Sequence, residues 1–488
     1  MNRPCRWLIG ATFALLLHPG LAADRLNVLF IAVDDLRPEF AAYGHPQVHA
    51  PNLDRLARRA MTFRRAYCQQ AVCSPSRSSL LTGTRPDTTK VWDLDTHFRT
   101  ALPDVATLPG HFKANSYFVQ GMGKLFHGGF DDPPSWSVPW SRPTGTQPYA
   151  LPENLALAGP PPGKPGAGAK GGRRPPRGPA FESAEVPDNR FHDGALADMA
   201  VAALQACAKR EEPFWLGVGF IRPHLPFVAP KKYWDLYDPA KLELAPNPFP
   251  PRGAPAYSVP EGSELRAYVG LPAGPIPDEL ARQLKHGYYA AISYMDAQLG
   301  RVLDELDRLD LAGRTIVVLW GDHGWKLGEH GAWCKHSNVE NDTHAPLLIA
   351  APGLPAAGRQ TDALVELVDL YPTLAELCKL PRPAHLEGVS LVPLLRDPTR
   401  LVKTAAFSQY PRHVNGQVLM GYSMRTDRYR LTRWVHRSDP TKVAAVELYD
   451  HLTDPQENEN LADAPAHAAV LAELTAQWQA GWRGAAVK

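Results

Sequence analysis

Four short apolar runs along the chain share one design. Residues 26–33 (LNVLFIAV) end in Asp34-Asp35, and residues 117–120 (YFVQ) run into Gly121-Met122-Gly123-Lys124. Residues 214–221 (FWLGVGFI) end in Arg222-Pro223-His224, and residues 315–320 (TIVVLW) end in Gly321-Asp322-His323. Runs this short, rich in Val, Ile, Phe and Trp, read as strands buried on both faces. Between them lie helical patterns. One covers residues 53–63 after Pro51-Asn52, an alanine-rich one covers 194–209, and 284–309 carries apolar residues at helical spacing. Strand–helix alternation predicts an α/β fold with a mostly parallel sheet. In such sheets ligands bind beyond the carboxyl ends of the strands. Polar or charged residues follow all four runs at that edge.

Two stretches break the pattern. Residues 144–180 include PPPGKPGAGAKGGRRPPRGP, which cannot bury apolar surface and reads as a mobile surface insertion; a polyanion-contacting arm is the other reading. From about residue 398 a smaller unit follows. Residues 420–434 (MGYSMRTDRYRLTRW) predict a hairpin around Thr426-Asp427, residues 447–450 (ELYD) a further strand, and residues 465–482 an amphipathic helix with Pro465 in its first turn. Residues 24–397 are thus expected to form one large domain and 398–488 a C-terminal subdomain. At the other end, Arg3 and Arg6, the apolar stretch from Trp7 to Leu17 and the small residues Gly20-Leu21-Ala22-Ala23 read as a signal peptide over residues 1–23. The chain is expected to be exported, to the periplasm or outside the cell, or to the lysosome in a eukaryote.

Length and charge narrow the options. The 488 residues suffice for one large domain and a smaller one. Lys+Arg is 52 against Asp+Glu 50, so global charge argues against a nucleic-acid or membrane-surface partner. A local basic pocket for an anion stays open. Of six cysteines, Cys5 falls in the signal; Cys68, Cys73, Cys207, Cys334 and Cys378 remain. An odd number marks one for a separate role, and the other four read as buried thiols.

That one is Cys73. Cys73-Ser74-Pro75-Ser76-Arg77 continues as SSLLTGTRP. Pro75 suits the first turn of a helix with Ser74 as N-cap, Leu80-Leu81 supply a buried face, and Gly83 can end it. Cys73 then lies at a helix N-terminus, where free N–H groups favour an anion, with Arg77 one turn further on. A buried structural cysteine and a thiolate nucleophile with a histidine partner are competing readings.

The surroundings carry further chemistry. Adjacent carboxylates at Asp34-Asp35 repel, and a cation or basic partner would relieve the cost. With Asp322-His323 at the same edge they make a set suited to one divalent cation; oxygen dominance points to calcium, and the histidine leaves magnesium open. Capping or turn residues are the bland reading of either pair alone. Lys124, His127, His224 and Lys335 are each, singly, ordinary surface cations or satisfied histidines. Together they would surround a tetrahedral, dianion-like transition state with positive charge and proton donors. Trp325 and His97 could line a neighbouring binding subsite, with a core aromatic and a loop histidine as equal alternatives.

The motif C-x-P-x-R followed by Leu-Thr-Gly resembles the signature of the type I, formylglycine-dependent sulfatases. GKLFH, RPHLPF, GDHGWKLGEHG with Trp333 and Lys335, and TGTRPDTTKVWDL resemble the iduronate-2-sulfatase group of that family, and LYDHLTDPQENENLA its C-terminal segment. The likeness runs from Asn27 to Leu461 outside the 144–180 insertion. His323 departs from the asparagine of many sulfatases.

The resemblance implies an alkaline-phosphatase-like fold: a large, mostly parallel mixed sheet flanked by helices, with a small C-terminal α+β subdomain. It implies that an export-pathway enzyme, the formylglycine-generating enzyme, oxidises Cys73 to formylglycine. The hydrated aldehyde attacks sulfur and expels the alcohol, and its second hydroxyl then collapses to release sulfate. It further implies that Asp34, Asp35, Cys73, Asp322 and His323 surround the cation. Arg77 and Lys124 hold the nucleophile, His127 is the base for the collapse, and His224 and Lys335 grip sulfate and protonate the leaving oxygen. A sulfated saccharide is the expected substrate. A phosphonate or phosphodiester hydrolase of the same superfamily, an inactive sulfated-glycan-binding protein, and a cysteine hydrolase using unmodified Cys73 remain as rivals.

Overall fold

A computed structural model describes residues 25–158, 177–260 and 264–487. The segment read as a signal peptide lies outside them, as does much of the Pro/Gly-rich insertion. What is described of that insertion includes a short helix, Pro152–Ala158, and a strand, Arg177–Pro179, which pairs with Tyr268–Val269. Tyr149 is buried there, its hydroxyl donating to the Pro179 carbonyl at 2.7 Å. An aromatic anchor and a strand pair thus order the flanks, which proline and glycine content alone does not reveal.

The centre is an eight-stranded mixed sheet. Its strands are β1 (Asn27–Val33), β2 (Met61–Tyr67), β3 (Phe118–Gly123), β4 (Phe214–Phe220), β5 (Thr315–Gly321), β6 (His344–Ala345), β7 (Leu347–Ala350) and β8 (Gln360–Glu366). Across the middle the neighbours run β2-β7-β5-β1-β4-β3, and β6 and β8 also pair with β2. β1 is parallel to both β4 and β5, and β3 to β4, while β7 runs antiparallel. All four predicted runs are strands here. In β1 every side chain is buried: Leu29, Ile31 and Val33 on one face, Val28, Phe30 and Ala32 on the other. The first face packs on α3 (His192–Cys207) and α4 (Asp278–Arg308). The second packs on α2 (Cys73–Thr82), the helix Leu108–Ala114 and the helix Leu370–Leu377. A run that is apolar at every position is what a strand sandwiched between helix layers requires.

One predicted helix is two elements. The pattern at residues 53–63 divides into α1 (Pro51–Ala57) and the strand β2. Thr62 and Phe63 are β-formers, and β2 gains ladders with β6 and β7 on one side and β8 on the other. Helical spacing over so short a window cannot exclude that outcome.

The C-terminal unit is a four-stranded antiparallel sheet: β9 (Ala406–Val414), β10 (Gln417–Arg425), β11 (Tyr429–His436) and β12 (Asp439–Asp450). The turn between β10 and β11 falls at Thr426-Asp427. The helix α5 (Ala468–Ala485) covers one face through Leu474, against Met424, Leu431 and Leu448. A buried charge network seams this unit to the larger one. Arg430 binds Glu457 and Glu340, both at 2.5 Å, Arg425 binds Glu340 at 3.2 Å, and His451 contacts Glu457 at 2.8 Å. The five cysteines among the described residues are all buried free thiols.

Candidate active site

Strand register brings the chemistry to one edge. Val33 pairs with both Phe220 and Gly321, and Gly123 with Gly219. Asp34, Asp322 and Lys124 each follow one of these rows by a single residue, and His224 lies four beyond Phe220. Two glycines make the closeness possible. A Cβ on Gly219 would collide with the Lys124 backbone, and Gly123, at φ 68°, would with a Cβ strike the Gly219 carbonyl. Asp35 itself occupies the left-handed region, φ 59°. Its N–H donates to Asp322 Oδ1 (3.1 Å), and the Tyr288 hydroxyl donates to its carbonyl (2.7 Å). Tertiary contacts hold a conformation that aspartate tolerates better than most residues.

Cys73 begins α2. Ser74 was expected to cap the helix, but the cap position is Val72, extended at φ −161°, and Cys73 is already helical. Gly83 closes the helix at φ 69°. The Cys73 side chain is 3% exposed. Its Sγ lies 3.4 Å from Asp34 Oδ1, 3.5 Å from His323 Nε2 and 3.6 Å from Lys124 Nζ. Burial, reinforced by the Asp34 charge, pushes its thiol well up despite Lys124 and Lys335. A thiol held protonated is a poor nucleophile, which counts against the cysteine-hydrolase reading. Arg77, one turn on and wholly buried, donates from Nε to Asp322 (2.8 Å) and from Nη2 to Asp34 (3.1 Å), and also to the Lys124 and Leu125 carbonyls.

The acidic set is dry and crowded. Asp34, Asp35, Asp322 and His323 are fully buried. Donor atoms of Asp34, Cys73, Asp322 and His323 lie within 4.8 Å of one another, as do those of Asp34, Asp35, Cys73 and His224. Burial would raise the Asp34 carboxyl, but Lys124, His224 and Arg77 outweigh it and hold it well below the usual range. Asp35 stays raised: burial and the neighbouring Asp34 charge outweigh Lys335. His323 Nδ1 faces the Gly324 carbonyl at 2.9 Å and so must donate. In the neutral ring Nε2 then turns its lone pair toward Asp35 Oδ1 (3.4 Å) and Asp322 Oδ2 (3.6 Å). Acceptors facing acceptors in a dry cavity fit a divalent cation better than they fit each other.

The basic groups close the other side. Lys124 pairs with Asp34, and Lys335 Nζ with both oxygens of Asp35 (3.0 and 3.1 Å) while lying over the Trp325 ring. His224 Nδ1 faces the Leu225 carbonyl at 2.6 Å, which leaves Nε2 directed at Asp35 (3.9 Å). Burial and the Lys124 charge push the His127 ring down to about 3, and its buried Nδ1 has no hydrogen-bond partner. Every residue singled out from the sequence for catalysis or metal binding therefore gathers here. Glu264 joins them and was not foreseen. Its carboxylate sits 2.7 Å from Lys335 and 3.2 Å from His224. It follows no strand and belongs to no motif, so nothing in the sequence marks it. The two subsite candidates differ in placement. Trp325 is fully buried, stacked on Tyr288 at 6.3 Å, and is a core aromatic. His97 accepts from the Arg99 N–H at 3.0 Å and caps a short turn.

A mixed sheet between helix layers, an acidic cluster at its carboxyl edge and a small antiparallel domain behind it define an alkaline-phosphatase-like hydrolase. The sulfatase family model matches residues 26–380, and that of the N-sulphoglucosamine sulphohydrolase C-terminal region matches residues 328–481. The iduronate 2-sulfatase of Mus musculus is 36% identical over 529 residues, covering 93% of this chain and 94% of that protein; that of Homo sapiens is 36% identical over 90% of this chain and 91% of its own. Among solved structures, a protein in complex with its substrate D-glucosamine-2-N,6-O-disulfate superposes with TM-score 0.73 at 20% identity, covering 94% of this chain and 98% of its own. A phosphonate monoester hydrolase from Silicibacter pomeroyi gives TM-score 0.73 at 26% identity, covering 93% and 94%. The chain belongs to the sulfatase family, and it is a sulfuric ester hydrolase.

Proposed function

We propose that the protein hydrolyses sulfate monoesters of sulfated sugars, in the manner of an iduronate 2-sulfatase, through a formylglycine made from Cys73. The position of Cys73 carries this reading. It sits at a helix N-terminus between a dry acidic cluster and Lys124, the place where a nucleophilic oxygen needs one neighbour to accept its proton and others to hold its charge. The hydrated aldehyde supplies a nucleophile whose second hydroxyl provides its own exit. Asp34, Asp35, Asp322 and His323 would hold one divalent cation beside position 73, calcium in first place and magnesium in second. That cation would supply Lewis-acid polarisation.

The chain's own residues do the rest. Arg77 fixes Asp34 and Asp322 and lends positive charge. Lys124 orients the group at position 73. His127, whose buried Nδ1 has no hydrogen-bond partner, takes the proton in the collapse step, although burial and the Lys124 charge leave it a weak base here. His224 and Lys335 bind the sulfuryl oxygens, and His224 protonates the leaving alcohol. Residues 24–397 form the catalytic domain and 398–488 its C-terminal subdomain. Residues 1–23 direct export, and the formylglycine-generating enzyme acts on the chain during maturation. No helix among the described residues is long and apolar enough to cross a membrane.

The likeness to a phosphonate monoester hydrolase keeps one rival in view. Aryl sulfate, aryl phosphate and aryl phosphonate turnover, measured side by side on protein from a host able to install the aldehyde, separates the two. Peptide mass spectrometry across Cys73 goes with it. A sulfate preference together with a converted Cys73 is the expected result. An intact thiol in fully active enzyme would overturn the mechanism, and a phosphonate preference the substrate class.

A further inference from the structure

Glu264 is a second acidic side chain, besides Asp35, set against the basic half of the site. Its two oxygens take separate partners: Oε2 contacts Lys335 Nζ at 2.7 Å and Oε1 contacts His224 Nε2 at 3.2 Å, with Arg177 Nη1 a further 3.7 Å neighbour of Oε1. Lys335 does not need this contact for neutrality, because it already holds both oxygens of Asp35. The side chain is 14% exposed against 2% for Lys335, so it is the more solvent-facing member of the pair. It stands just before the short turn Leu265–Ala267, on no strand of the main sheet.

Lys335 and His224 are the pair that would grip the sulfuryl oxygens under the proposed function. The two oxygens of a carboxylate are spaced much like two oxygens of a sulfuryl group. A carboxylate bridging this pair thus satisfies the same donors that an incoming ester or free sulfate would use. Two anions cannot share one ammonium and one imidazole at hydrogen-bond distance without strong repulsion. We infer that Glu264 is a built-in anion occupying the sulfate subsite of the resting protein, and that a bound sulfate must displace it. Glu264 is then a specificity-determining residue. It weakens every anion at this subsite by the cost of its own release, and free sulfate, which brings no sugar contacts to offset that cost, suffers most.

The inference rests on the proposed use of His224 and Lys335, but its test does not need turnover. Inorganic sulfate is titrated calorimetrically into the purified, matured wild type and into Glu264→Gln and Glu264→Asp. Displacement predicts about tenfold tighter sulfate binding for Glu264→Gln and a smaller gain for Glu264→Asp, whose shorter carboxylate keeps its charge but loses reach. It also predicts that KM for an aryl sulfate falls more than kcat changes. A brace that merely positions Lys335 predicts the opposite, a lower kcat with no gain in affinity. Unchanged or weaker sulfate binding by both variants, at wild-type melting temperature, overturns the inference. Should the wild type fail to hydrolyse aryl sulfates, the proposed function fails separately, while the sulfate titration still decides on Glu264.

Discussion

Arg77 Nε donates to Asp322 Oδ2 at 2.8 Å with both side chains wholly out of water, and the same guanidinium reaches Asp34. One planar cation thus ties together the carboxylates that follow β1 and β5. Lysine keeps the charge but cannot form that fork. Arg77→Lys should therefore lose activity by two orders of magnitude or more and about 3 kcal/mol of stability, the scale of a broken buried pair. Turnover and thermal melting read both; a variant with wild-type melting would show that the bridge is not structural.

The acceptor-facing-acceptor geometry of His323 and Asp35 gives a metal prediction that needs no substrate. Chelation should lower the melting temperature and calcium should restore it. The stabilisation reaches about 4 kcal/mol when the ion is a thousandfold above its Kd. His323→Ala should shrink that shift. Identical melting with and without chelator would rule out a bound cation.

His224 separates binding from proton donation. If it protonates the leaving oxygen, His224→Ala should slow sugar sulfates, which leave poorly, far more than aryl sulfates, which leave unaided. Equal losses on the two would confine His224 to gripping sulfate.

The charge seam between the two units predicts acid sensitivity. Burial alone would raise the Glu457 carboxyl, but Arg430 and His451 bring it from its ordinary 4.5 to about 2. A carboxyl depressed on folding stabilises fully above 4.5, and that contribution drains away as the pH falls toward 2. Melting curves through this window should show a steeper loss for the wild type than for Glu457→Gln. Parallel curves would mean that the seam does not couple to folding.

Much of the fold was legible because the central strands are apolar at every position and each ends in charge. β1, β4 and β5 announce themselves in that way, and register then forces Asp34 and Asp322 together. β2 was not legible, since Met61, Thr62 and Phe63 continue a helical spacing and only their partners β7 and β8 decide the matter. The metal and nucleophile candidates follow strand ends or open a helix, so local pattern exposes them. Glu264 reaches the same cavity by tertiary placement alone, and Trp325 shows the converse: an aromatic within a motif whose ring serves the core beneath Lys335.

If Cys73 is converted as proposed, the near-complete enclosure of its side chain would set an order of events. A second protein handling this sulfur would have access while the strand ends around it are still apart. Conversion would then belong to the nascent or translocating polypeptide, and each molecule would have a single opportunity. Copies that collapse unconverted would keep the fold but lack the nucleophile, so the active fraction of a preparation would record a race between collapse and oxidation.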